Sequence, residues 1–158
     1  MKPIAAILGL LQDKQQLFTS YLHTTSAMLG CGPDQFDGHV QKRGLLAEQI
    51  DRLDRQLAEV CLAAGEPLLL DAVKNKCDRG DLPREILPVF DAAQAVFSVI
   101  NQVANLEPQV LLRMQNIQKE LQERIKASNT KPKIARYLDT LDPTLDSGAL
   151  LHAESNKV

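Results

Sequence analysis

Three histidines and three cysteines have the most scope for chemistry in this 158-residue chain, and their spacing offers little. His23, His39 and His152 fall in three separate segments. Cys31, Cys61 and Cys77 form no CxxC pair, and no histidine stands at metal-ligand spacing from any of them. They read as free thiols of a reducing compartment, serving as packing residues. No HExxH, GxSxG, phosphate-binding loop or GxGxxG occurs. Carboxylates are plentiful but interleave with basic residues, and the ExxH spacing of a di-metal bundle site is absent. A phosphotransfer module would need an exposed helical histidine, and neither His23 nor His39 has the basic surroundings for it. The expectation is a protein that is not an enzyme, with no catalytic residue, metal or cofactor.

The elements that would position any site are helical. Aromatics make up 4% of the chain and there is no Trp, a composition that favours helix over strand. Ile4, Ile7, Leu11, Phe18, Tyr21 and Met28 follow helical spacing, with Lys14 and Thr25 as polar members of the series. Pro3 suits a first turn and "GCGPD" a stop, which bounds helix one at Pro3 to Leu29. Helix two begins near Asp34 and closes at Gly65. Its Leu46, Ile50, Leu53, Leu57 and Val60 form a heptad seam, with Glu48–Arg52 and Asp51–Arg55 paired on the solvated side. A short helix is expected over Leu68 to Gly80, entered through Pro67, followed by a turn with Asp81 as cap and Pro83 in the next first turn. Helix three is expected from about Pro83 to Ala127, ending at "SNTKPK". The fold class is therefore all-α, an antiparallel helical bundle or coiled coil. Residues 1–138 are expected to form one domain and 139–158 a flexible tail.

Pro108 interrupts the stripe of helix three. Val103 and Val110 flank it seven residues apart and stay in phase, which a loop would not preserve. The spacing favours one helix bent at Pro108 over two separate helices. The net charge of −2 gives no electrostatic reason to expect nucleic acid or an anionic membrane. The N-terminal "MKPIAAILGLLQDKQ" lacks a cleavage site, and no apolar run approaches the ~20 residues of a bilayer span. A soluble, cytoplasmic protein is expected, without membrane insertion.

The order of these elements, with the charged "QKRGLLAEQIDRLDRQL", the long "INQVANLEPQVLLRMQNIQKEL" (Asn101, Asn105) and a basic "KASNTKPKIARYL" ending near a tyrosine, resembles the FlgN-type flagellar export chaperones. The similarity covers roughly Ile4 to Leu138, and Pro108 departs from the family's pattern. The resemblance implies a type III export chaperone. Such a protein binds the amphipathic C-terminal helix of hook-associated (hook–filament junction) proteins and delivers it to the export apparatus. It also implies that Tyr137 contacts the export gate. Helix-in-groove packing would place the partner groove on Val103, Val110, Met114, Ile117 and Leu121; the alternative is that these residues pack on helices one and two. The tail leucines Leu138, Leu141, Leu145, Leu150 and Leu151 are candidates to fill that groove in place of cargo. The competing reading is a scaffold that self-associates through the heptads of helices two and three, an elongated homodimer in which Leu46, Ile50, Leu53 and Leu57 face their own copies.

Overall fold

A computed structural model describes the backbone of residues 2–139 and the side chains of residues 3–128. Four α-helices account for most of it: α1 (Lys2–Gly30), α2 (Pro33–Ala64), α3 (Pro67–Val73) and α4 (Leu87–Asp139), with no strand among the described residues. The all-α expectation holds, and the helices pack as a bundle. Two compact units can be distinguished, Met1–Val110 and Leu111–Val158.

The ends of α1 and α2 follow from local chemistry. Gly32 stands extended at the N-cap of α2, Pro33 opens the helix and Asp34 lies in its first turn, where a carboxylate favours the positive end of the helix dipole. At the other end Gly65 takes a left-handed conformation (φ 69°) and returns its N–H to the Leu62 carbonyl. That conformation is costly for any residue with a Cβ.

The core of the first unit joins all four helices. Ile7 and Leu11 of α1, Leu57 and Cys61 of α2, Leu69 and Ala72 of α3, and Val89, Phe90, Ala93 and Val96 of α4 form one buried cluster. The two polar members of the α1 series are accommodated differently. Thr25 is fully buried and donates its hydroxyl proton to the Tyr21 carbonyl at 2.7 Å. The neighbouring Thr24 does the same to Ser20 at 2.9 Å, so neither hydroxyl is left unsatisfied in the interior. Lys14 instead reaches Asp54 of α2 at 2.6 Å.

Three expectations need correction. α3 ends at Val73 rather than near Gly80, because Asn75 turns left-handed (φ 52°). Its side-chain amide donates to the Ala72 and Phe90 carbonyls, tying the turn to α4. Asp81 belongs to a short 3-10 turn, Arg79–Asp81, and Pro83 precedes α4 rather than opening it. The Pro83 carbonyl accepts from the Ile86 and Leu87 amides and so leads the chain into the helix. Finally, α4 does not stop at "SNTKPK" but continues to Asp139. Pro132 removes one amide bond, the one to the Ser128 carbonyl. The surrounding Lys, Ala, Arg and Leu residues favour helix enough to carry the chain past it. The expected tail from residue 140 onward, with Leu141, Leu145, Leu150 and Leu151, lies outside the described residues.

Pro108 does not divide the helix. α4 is helical on both sides of it, as the phase of Val103 and Val110 requires. Ala104 and Pro108 are both exposed. The carbonyl that proline leaves without its amide partner therefore lies on the solvated side, where water can replace the lost bond.

Candidate functional site

The sequence along α4 sets out three parallel rows at seven-residue intervals, and the rows differ in cover. Val89, Val96, Val103, Val110 and Ile117 are all buried. The next row loses its cover along the helix. Ile86 and Ala93 are buried, Ile100, Glu107 and Met114 are half-buried, and Leu121 is 38% exposed. The third row follows the same course, from buried Phe90 through half-buried Phe97 to exposed Leu111 and Ile125. Leu111 and Ile125 stand at 56% and 57% exposure, and Leu112 is exposed beside them.

The expected groove residues therefore divide. Val103 and Val110 belong to the first unit and Ile117 to the second, and all three are buried. For these three, packing within the chain is what is observed. Met114 and Leu121 remain partly or largely accessible. The backbone of Tyr137 is helical, but its side chain lies outside those described. Leu111 and Ile125 were not singled out by sequence reasoning, although their spacing to Met114 and Leu121 carries the signal. Leu111, Met114, Leu121 and Ile125 fall on a 3–4 heptad rhythm, interrupted only by Gln118. What results is an apolar edge on residues 111–125, adjacent along the helix to a row that is already buried.

Among the described residues the polar contacts gather chiefly at Arg43 and at the Arg79–Asp91 pair. Arg43 is the densest node. Its guanidinium carbon lies 4.6 Å from the centroid of the Tyr21 ring, one nitrogen is 3.5 Å from the Met28 sulfur, and another is 2.9 Å from a Glu107 carboxylate oxygen. The last is an ion-pair contact without hydrogen-bond alignment. Arg43 thereby ties α1, α2 and α4 together beside Pro108. Arg79 and Asp91 form a two-pronged pair at 2.9 and 3.0 Å, and the hydrogen bond from Arg79 holds the Asp91 carboxyl below its ordinary range. Burial pushes the Cys61 thiol up. Cys77 is raised too, by desolvation and then by Asp71, Asp78 and Asp81. Both shifts oppose thiolate formation and hence nucleophilic or metal-binding use. Among the described residues no group of His, Cys, Asp and Glu is placed to hold a metal ion, and no helix is long and apolar enough to cross a membrane.

Comparison with family models, with curated proteins and with solved structures yields no match for this chain. The fold and the edge on α4 define a helical-bundle protein with an incompletely covered apolar helix.

Proposed function

We propose that this protein is a cytoplasmic type III export chaperone of the FlgN kind. It would bind the amphipathic C-terminal helix of a hook-associated protein and bring it to the export apparatus. The observation that carries the reading is the uncovered edge of α4, Leu111, Leu121 and Ile125 beside the half-buried Met114. An amphipathic helix laid along that edge would supply the apolar neighbours that the exposed positions lack. Met114 adds an adaptable side chain at the centre of the edge. The resemblance in element order and in the "INQVANLEPQVLLRMQNIQKEL" helix supplies the identity of the cargo and of the export step, including a gate contact by Tyr137.

The heptad seam of α2 favours this reading over a scaffold that self-associates through it. Leu46, Ile50 and Leu57 are already buried within a single chain and Leu53 is half-buried, so the seam has little left to offer a second copy. Co-purification of the full chain with the C-terminal helix of a hook-associated protein tests the proposal. Retention of that helix is expected. Failure to retain it, alongside a folded protein, would remove the reading.

A further inference from the structure

A second apolar surface lies wholly within the first unit and shares no residue with the α4 edge. Where α2 turns into α3, a recess of about 620 Å³ opens at the surface. Ala58, Leu62, Pro67 and Leu70 provide its apolar lining, and Glu66 and Asp71 its charged groups. Leu62 is 84% exposed, on a helix whose other large apolar residues mostly turn inward. A recess of this size falls within the range that accommodates several side chains of a ligand.

The walls are fixed before any partner arrives. Gly65 makes the turn in its left-handed conformation, with its N–H on the Leu62 carbonyl at 3.1 Å. The Glu66 side chain accepts from the Leu68 amide at 3.3 Å and so caps α3. Pro67 sets the backbone of the first turn, and Leu69 and Ala72 anchor α3 from beneath. A preformed site loses less conformational freedom on binding than one that must be ordered.

We propose that this recess docks an amphipathic helix of a partner protein whose apolar anchor is flanked by lysine or arginine. Charge selects the occupant. The two charged residues that line the recess are both carboxylates, and the capping bond of Glu66 engages one oxygen and leaves the other for a cation. A second copy of this chain docked isologously would set Glu66 and Asp71 against themselves, which like-charge repulsion opposes. Anionic lipid headgroups meet the same repulsion. The inference goes beyond the export-chaperone reading and does not rest on it.

The test uses the full chain, isotopically labelled, titrated with a synthetic amphipathic peptide bearing leucines at i, i+3, i+4 and i+7 and lysines on both flanks. A control peptide keeps the leucines and carries glutamate in place of each lysine. The lysine peptide is expected to shift the amide signals around Ala58, Leu62 and Leu70 saturably, and the glutamate peptide to bind at least about tenfold more weakly. Leu62→Ser alters an exposed residue and should weaken the lysine peptide about tenfold with the fold intact. Glu66→Gln with Asp71→Asn should weaken it and flatten its salt dependence. Substituting Leu111, Leu121 and Ile125 should leave this binding unchanged, which separates it from the cargo proposal. Equal binding of the two peptides, shifts confined to residues 111–125, or Leu62-dependent self-association in sedimentation would each overturn the inference.

Discussion

Replacing Arg43 by Met removes a cation while keeping most of its aliphatic stem, and three contacts from α1 and α4 meet at that cation. Arg43 is only 16% exposed in its side chain, whereas Glu107 is 43% exposed. The ion pair is therefore partly screened and contributes about 0.5–1 kcal/mol. The guanidinium over Tyr21 at 4.6 Å adds about 1 kcal/mol in a partly desolvated setting. Because the methionine retains much of the packing, Arg43→Met should cost about 1.5–2 kcal/mol. In a domain of this size that corresponds to a fall of roughly 4–7 °C in melting temperature. Urea unfolding of the single variants and of the pairs with Glu107→Gln and Tyr21→Leu gives the couplings directly. A coupling of about 0.5–1 kcal/mol is expected for each pair, and that with Glu107 should shrink in salt. Stability of Arg43→Met within about 0.3 kcal/mol of the parent would refute the reasoning, since the contacts would then exist without energetic consequence.

Other perturbations probe single physical effects. Gly65→Ala meets nothing within 4 Å of the new Cβ, so its cost is backbone strain alone, about 1 kcal/mol in urea unfolding. Pro108→Ala restores an amide to α4 on an exposed face and should stabilise the protein by about 1–2 kcal/mol, read as a rise in the urea midpoint. Asp91→Asn should lower stability above the ordinary aspartate pKa of 3.8. Because Arg79 holds the folded-state pKa below that value, the Asp91 contribution is full above it and is lost as pH falls through the depressed pKa. Urea midpoints of parent and variant should therefore begin to converge only as pH falls below 3.8.

Much of this architecture can be read from residues that act locally. Pro33, Gly65 and Pro67 bound their helices through φ preferences that need no tertiary partner, and the seven-residue phase of Val103 and Val110 carries α4 past Pro108. The stop expected at "SNTKPK" fails for the converse reason, since a single proline removes too little to end a helix rich in good formers. Which apolar residues remain uncovered is a different kind of question. Periodicity places Val110, Met114, Ile117 and Leu121 on one face, but cover depends on what packs there, so the buried and open members separate only in three dimensions. Arg43 was invisible for a similar reason. Its partners Tyr21, Met28 and Glu107 are distant in sequence, and nothing in a charged heptad helix distinguishes that arginine from its neighbours.

If the open edge of α4 receives an amphipathic helix, calorimetric titration with the C-terminal helix of a hook-associated protein will register the binding. Leu111, Leu121 and Ile125 each have roughly half their surface to bury, worth about 1 kcal/mol apiece. Substituting all three by serine should raise Kd about a hundredfold or more, with melting temperature nearly unchanged because the residues are already exposed. Affinity unaltered by the triple substitution, or no binding by the parent protein, would contradict the account.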